Sequence, residues 1–122
     1  MTDKTLTYER AKELLLQVTE GREDYVYQNP DPEHPAACYN HWNGEPSCLI
    51  GHAIAADGID LVEEVGAELD AAGAVEDIYG QWEENAVRLW VKAQIRQDGG
   101  YPWGKAAQYA IKDVEGEKEE DG

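Results

Sequence analysis

Apolar side chains recur at helical spacing along most of this chain. Over residues 7 to 19, Tyr8, Ala11, Leu14, Leu15 and Val18 share one side, while Glu9, Arg10, Lys12 and Glu13 fall mostly on the other. Thr7 is placed to cap this helix and Gly21 to stop it. The longest pattern starts at Gln81 or Trp82 and reaches Gln97, with Trp82, Ala86, Leu89, Trp90 and Ala93 in one stripe and Val87, Val91 and Ile95 in the next. Asp98-Gly99-Gly100 breaks it. A last helix is expected from Pro102 to Val114, where Trp103, Ala106, Ala107, Ala110 and Val114 give a narrow face suited to close packing. Before these, Leu61, Val65, Leu69 and Ala72 predict a helix over 60 to 72, closed by Gly73.

The stretch from Glu45 to Gly58 differs from the other helical segments because Leu49, Ile50, Ala53, Ile54 and Ala56 cover most of a helix's circumference. Such a segment is enclosed by other elements and does not lie on a surface. Pro46 ends what precedes it, Ser47 is the expected cap, and Gly58 suits a left-handed closing position. Short aromatic and β-branched runs at 25 to 27 and 37 to 42, separated by a segment holding Pro30, Pro32 and Pro35, predict a small antiparallel hairpin. Together these readings give an α+β fold, a mainly helical single domain of about five helices with one small antiparallel β-hairpin. It is expected to occupy residues 1 to 114, with 115 to 122 as an acidic, disordered tail.

Composition adds one fact that periodicity does not. The 122 residues carry 26 acidic and 10 basic side chains, a net charge of −16, with 42% hydrophobic residues to form a core. No Lys or Arg occurs between Arg22 and Arg88, an interval holding fifteen carboxylates, whereas residues 88 to 112 carry Arg88, Lys92, Arg96, Lys105 and Lys112 against Asp98 alone. An acidic face formed by Asp60, Glu63, Glu64, Glu68, Asp70, Glu76 and Asp77 is therefore the candidate partner surface. The two short helices around Asp57-Gly58-Ile59-Asp60 have the spacing of a helix-turn-helix. However, the second carries five acids and no base between 60 and 70, which argues against direct nucleic-acid binding. No apolar run of spanning length and no secretion signal occurs, so no membrane partner and an intracellular location are expected.

Candidate chemistry is concentrated in one place. Cys38, His41, Cys48 and His52 bring thiolate and imidazole donors within fifteen positions of one another, and Cys48 and His52 are one helical turn apart. Zinc is the metal such donors prefer. The odd spacing of Cys38 and His41 places them on opposite faces of a regular strand, and a cysteine knuckle is missing. The competing reading makes both cysteines small buried residues with no cofactor, and it is the one preferred here. A thiol-dependent enzyme built on Cys48 lacks an assembled base and anion stabiliser, and no phosphate loop, Gly-x-Ser-x-Gly or His-Glu-x-x-His occurs. The expectation is a protein that is not an enzyme.

Taken in order, Tyr25-Val26-Tyr27, Cys38-Tyr39, Gly44-Glu45-Pro46-Ser47-Cys48-Leu49-Ile50-Gly51-His52 and Gln97-Asp98-Gly99-Gly100-Tyr101-Pro102-Trp103-Gly104-Lys105-Ala106 resemble a family of small uncharacterised proteins encoded by actinobacterial tailed phages and their hosts. The resemblance spans residues 8 to 114. It implies a bacteriophage accessory protein expressed in the host bacterial cytoplasm, with no activity to carry over. The resulting expectation is a non-enzymatic viral protein that binds a host protein, itself basic or nucleic-acid-binding, through the acidic surface. The alternatives are a nucleic-acid mimic that inhibits a host defence or DNA-binding factor, and a structural-zinc interaction module.

Overall fold

The computed structural model describes residues 5–28, 41–42, 45–59 and 71–120. Among these residues it contains five helices: α1 (Tyr8–Thr19), α2 (Leu49–Ala56), α3 (Ala71–Ile78), α4 (Glu84–Asp98) and α5 (Trp103–Glu120). The mainly helical class expected from the pattern is the one observed. α4 packs along α5 and α1, and α2 sits between α1 and α4. As its uniform apolarity demanded, α2 is enclosed: Leu49, Ile50, Ala53 and Ile54 are fully buried. They join Leu14 and Leu15 of α1, Leu89 and Trp90 of α4, and Val75 of α3 in one core. Each buried Leu or Ile contributes about 2 kcal/mol relative to exposure.

The expected hairpin is corrected. Residues 25–28 form no strand, and 37–40 lie outside the described residues. The backbone at Glu23 to Tyr25 has a different task, because α5 begins without free partners for its first amides. The Tyr25 carbonyl accepts from Trp103 N–H (2.8 Å) and the Glu23 carbonyl from Gly104 N–H (3.0 Å). A peptide group already bonded to a helix start is not available to a sheet ladder. The strand pairing that joins distant parts of the chain is parallel: β1 (Thr5–Leu6) lies beside β4 (Gln81–Trp82), with Leu6 opposite Trp82. β2 (His41–Trp42) and β3 (Glu45–Pro46) make only a two-residue antiparallel turn-back.

Four smaller expectations also change. Trp82 is not part of the long helix's buried stripe; it stands on β4, 41% exposed, and α4 starts two residues later. Gly73 does not close a helix but lies inside α3, while residues 60–70 are outside the described part. The cap of α2 is Cys48, one residue beyond Ser47, and its Sγ accepts from Gly51 N–H at 3.4 Å. Finally, α5 continues to Glu120, and Glu115, assigned from the sequence to a solvated tail, accepts from Tyr8 Oη (2.8 Å) and Lys12 Nζ (2.9 Å) of α1. Gly58 does take the left-handed conformation, φ 81°.

Asp57 closes α2 and ties it to two other elements. Its side chain is 7% exposed, its Oδ1 accepts from Arg10 Nε (3.0 Å) and pairs with Arg10 Nη2 (2.9 Å), and its Oδ2 accepts from Tyr79 Oη (2.9 Å). Burial, and then the Asp57 bond, hold the Tyr79 phenol well above its ordinary pKa, so it remains a donor at any physiological pH. Removing the carboxylate strands the Tyr79 donor and leaves the Arg10 guanidinium with Glu13 alone among the described residues. Asp57→Ala should therefore cost about 3 kcal/mol in urea unfolding, against about 1 kcal/mol for Tyr79→Phe. Equal costs would mean that Arg10, whose side chain is 38% exposed, is held as well by water. Gly104 is the second test. A Cβ there would lie 2.8 Å from Glu23 Cβ and 3.0 Å from its Cα, so Gly104→Ala should destabilise by about 1–3 kcal/mol by forcing the clamp off α5. A neutral Gly104→Ala would show that the clamp yields at no cost.

Candidate functional site

The residues expected to form an acidic face divide into two groups. Asp60, Glu63, Glu64, Glu68 and Asp70 lie outside the described residues. Glu76 and Asp77 are exposed on α3, on the side opposite buried Ala74, Val75 and Ile78, and neither makes an ion pair among the described residues.

The candidate metal ligands are spread over different tasks. Cys38 lies outside the described residues, and His41 is half-buried on β2 opposite Pro46. Cys48 is fully buried with its thiol turned to the Gly51 amide. His52 Nδ1 is 3.0 Å from the Cys48 carbonyl oxygen. A carbonyl only accepts, so the proton sits on Nδ1 and the remaining nitrogen is Nε2. Cys48 and His52 thus meet through backbone and ring, not as thiolate and base. Among the described residues, no three His, Cys, Asp or Glu side chains are grouped to hold a metal ion.

The structure assembles an acidic cleft that the sequence reading did not single out. It has a volume of about 720 Å3 and is lined by Tyr8, Glu9, Glu83, Glu84, Asn85 and Glu115. These residues come from three separated parts of the chain. The reason they converge is the parallel pairing of β1 with β4, which sets the starts of α1 and α4 side by side. Glu83 Oε1 accepts from the first amide of α1, Tyr8 N–H, at 2.6 Å, and Glu115 is answered by Lys12 and Tyr8. Glu9 and Glu84 are exposed and make no ion pair among the described residues. Placed in the first turns of α1 and α4, both are favoured by the positive ends of their helices. The signal in the sequence was Glu83-Glu84 directly before a strong apolar stripe; its partner Glu9 could not be matched to it without the strand register.

A second cleft, of about 660 Å3, lies between α2, the segment 22–28 and the start of α5. Its wall is aromatic: Trp103 meets Tyr25 edge-to-face (ring centres 4.7 Å apart, 77°) and His52 likewise (5.0 Å, 68°). Arg22 and Glu45 stand at its sides. The two aromatic residues flanking Pro102 differ: Trp103 is core, and Tyr101 is 39% exposed beside Tyr109 and the Arg96 guanidinium.

Compared with known proteins, the chain matches no family model, no curated protein and no solved structure.

Burial is the largest influence on the His52 imidazole and lowers its pKa; the Cys48 carbonyl opposes this, and Arg22 lowers it further. The unfolded chain takes up this proton near the ordinary value of about 6.5, before the folded chain does. His52 therefore leaves stability intact above that pH and subtracts from it as pH falls toward the folded-state value. The His52 ring resonances should titrate below about 6.5, and the stability of the wild type relative to His52→Gln should decline from pH 7 to pH 5. Titration at or above the ordinary value would remove this assignment.

Proposed function

We propose that this is a non-enzymatic accessory protein that binds the basic surface of a partner protein, seating a lysine or arginine side chain of that partner in the acidic cleft. The observation carrying this reading is that Glu9 and Glu84 face one cleft with no ion pair among the described residues, in a chain whose carboxylates outnumber its cations by sixteen. Even if every cation were matched to one acid, sixteen acids would remain to attract a partner. Val114 and the Tyr8 ring give the cleft an apolar patch on which the methylenes of a long cationic side chain can lie. Asn85 adds a neutral amide.

The resemblance of the 44–52 and 97–106 motifs to phage-encoded proteins supports a bacteriophage origin and action in the host bacterial cytoplasm, with a host protein as the partner. Glu76 and Asp77 extend the acidic character to α3 and serve long-range attraction.

A fluorescent octapeptide of alternating lysine and glycine is a suitable probe, with its glutamate counterpart as control. The lysine peptide should bind in low salt and weaken as ionic strength is raised from about 0.05 to 0.5 M, since exposed charges are screened over that range. The double variant Glu9→Gln, Glu84→Gln should lose about tenfold in affinity, and Glu76→Gln with Asp77→Asn distinctly less. Binding that ignores salt, or that survives the cleft variant while falling with the α3 variant, would move the contact away from the cleft.

A further inference from the structure

We propose that the outward face of the α4–α5 pair is a docking surface for an acidic amphipathic helix of a partner protein. The argument starts from large side chains that the core does not use. Ile95 on α4 is 63% exposed, Tyr101 in the α4–α5 link 39%, and Tyr109 on α5 40%. They are neighbours. The rings of Tyr101 and Tyr109 meet edge-to-face with centres 6.0 Å apart, and a Cβ on Gly99 would lie 3.5 Å from the Ile95 carbonyl oxygen and 3.9 Å from the Tyr101 ring. The Arg96 guanidinium lies over both rings, 5.7 Å and 5.2 Å from their centres, and its pairing with Asp113 holds it there. The rings therefore have little freedom to lose on contact with a partner, and Tyr and Arg are enriched where binding surfaces hold most strongly.

Charge says what covers this patch. Residues 88 to 112, which supply it, carry five cations against one acid, in a chain that is otherwise acidic. Lys105 and Lys112 are exposed and make no ion pair among the described residues. Seven positions apart on α5, they stand about 10 Å from each other along the axis, on the side that carries Tyr109. A helix with acids at i and i+7 and apolar residues at i+3 and i+4 repeats that spacing, so its acids meet both lysines while its apolar side covers Ile95 and the rings. A nucleic-acid strand fits less well. Bases stack on open, parallel ring faces, whereas these rings stand at 87° to each other with Arg96 over both. Each nucleotide would also bring a phosphate to a chain of net charge −16, and two copies of the chain repel one another for the same reason. This surface is opposite in sign to the cleft of Glu9 and Glu84 and does not depend on it.

The test uses the full chain and a capped alanine-glutamine peptide of about 18 residues, long enough to form a helix, with glutamates at i and i+7 and leucines at i+3 and i+4. Calorimetry should give saturable binding, and the amide resonances of Ile95, Tyr101 and Tyr109 should shift with the same midpoint. Exchanging the peptide's glutamates for glutamine, or its leucines for alanine, should weaken binding about tenfold, as should Lys105→Gln with Lys112→Gln and, separately, Ile95→Gln. These side chains are exposed, so the variants keep the fold. Glu9→Gln with Glu84→Gln should leave this affinity within about twofold, whatever becomes of binding at the cleft. The proposal fails if the peptide shifts none of those resonances up to about 1 mM, or if the uncharged or leucine-free peptide binds as well. It fails equally if the cleft variant abolishes binding, if a thymidine oligonucleotide binds more tightly than the peptide, or if the chain sediments as a dimer that Ile95→Gln dissociates.

Discussion

The architecture depends on how the free amides at the helix starts are answered. A helix leaves its first N–H groups without internal partners, and one buried and unanswered costs about 1–3 kcal/mol. Here four of the five helices described receive that answer from a remote part of the chain. The first amide of α2, Leu49 N–H, donates to Gln97 Oε1 at 2.7 Å, and Ala71 N–H at the start of α3 donates to Gln94 Oε1 at 2.7 Å. Glu83 serves α1, and the carbonyls of Glu23 and Tyr25 serve α5. Glu83 is itself the N-cap residue of α4 and makes no side-chain bond to its own helix, its carboxylate being used on α1.

The choice of glutamine in α4 follows from this duty. Gln94 and Gln97 are three residues apart, so they project from one face toward α3 and α2, and both are buried, 6% and 2% exposed. Leucine would pack there and leave two amides unanswered, whereas glutamate would answer them and bury a charge. The neutral amide supplies the oxygen at the lower cost. The same logic places Trp90, whose Nε1–H donates to the Ala11 carbonyl at 3.2 Å. α4 thus packs as a core helix and also acts as the capping element of its neighbours. Because the caps cross between elements, a helix that shifts loses its hydrogen bonds together with its packing, which couples the helices into one cooperative unit.

This is also where reading the sequence succeeds and where it stops. The stripes of Leu14, Leu15 and Val18 and of Ala86, Leu89, Trp90 and Ala93 were legible because burial at helical spacing is a local pattern. The enclosed character of α2 was legible from the near absence of polar residues. Capping rules are local as well, and they pointed to Ser47; the true cap is Cys48, and Ser47 Oγ lies 3.3 Å from the Tyr27 hydroxyl. The error at 25–27 has the same origin. Alternating Tyr-Val-Tyr carries strand propensity, but these backbone groups are set against a helix start 78 positions away in Trp103, a demand no local window contains. Of the candidate site, Glu83 and Glu84 were visible as a pair, and only the register of two short strands brings Glu9 beside them.

The charge balance follows from the same design. Since side-chain amides, backbone carbonyls and the Glu83 carboxylate hold the helix starts by hydrogen bonds, surface ion pairs are not needed to assemble the core, and cations can be few. Three of the ten work at seams: Arg10 joins α1 to Asp57 at the end of α2, Lys12 joins α1 to Glu115 of α5, and Arg96 joins α4 to Asp113 of α5. Each matches its carboxylate where two elements meet, and Arg96 also covers the rings of Tyr101 and Tyr109. Cations spent on seams do not neutralise outward-facing acids such as Glu9, Glu76, Asp77 and Glu84. Repulsion among those acids costs some stability, which the core and its crossed caps must offset. A fold that needed its surface charges paired could not keep so one-sided an exterior.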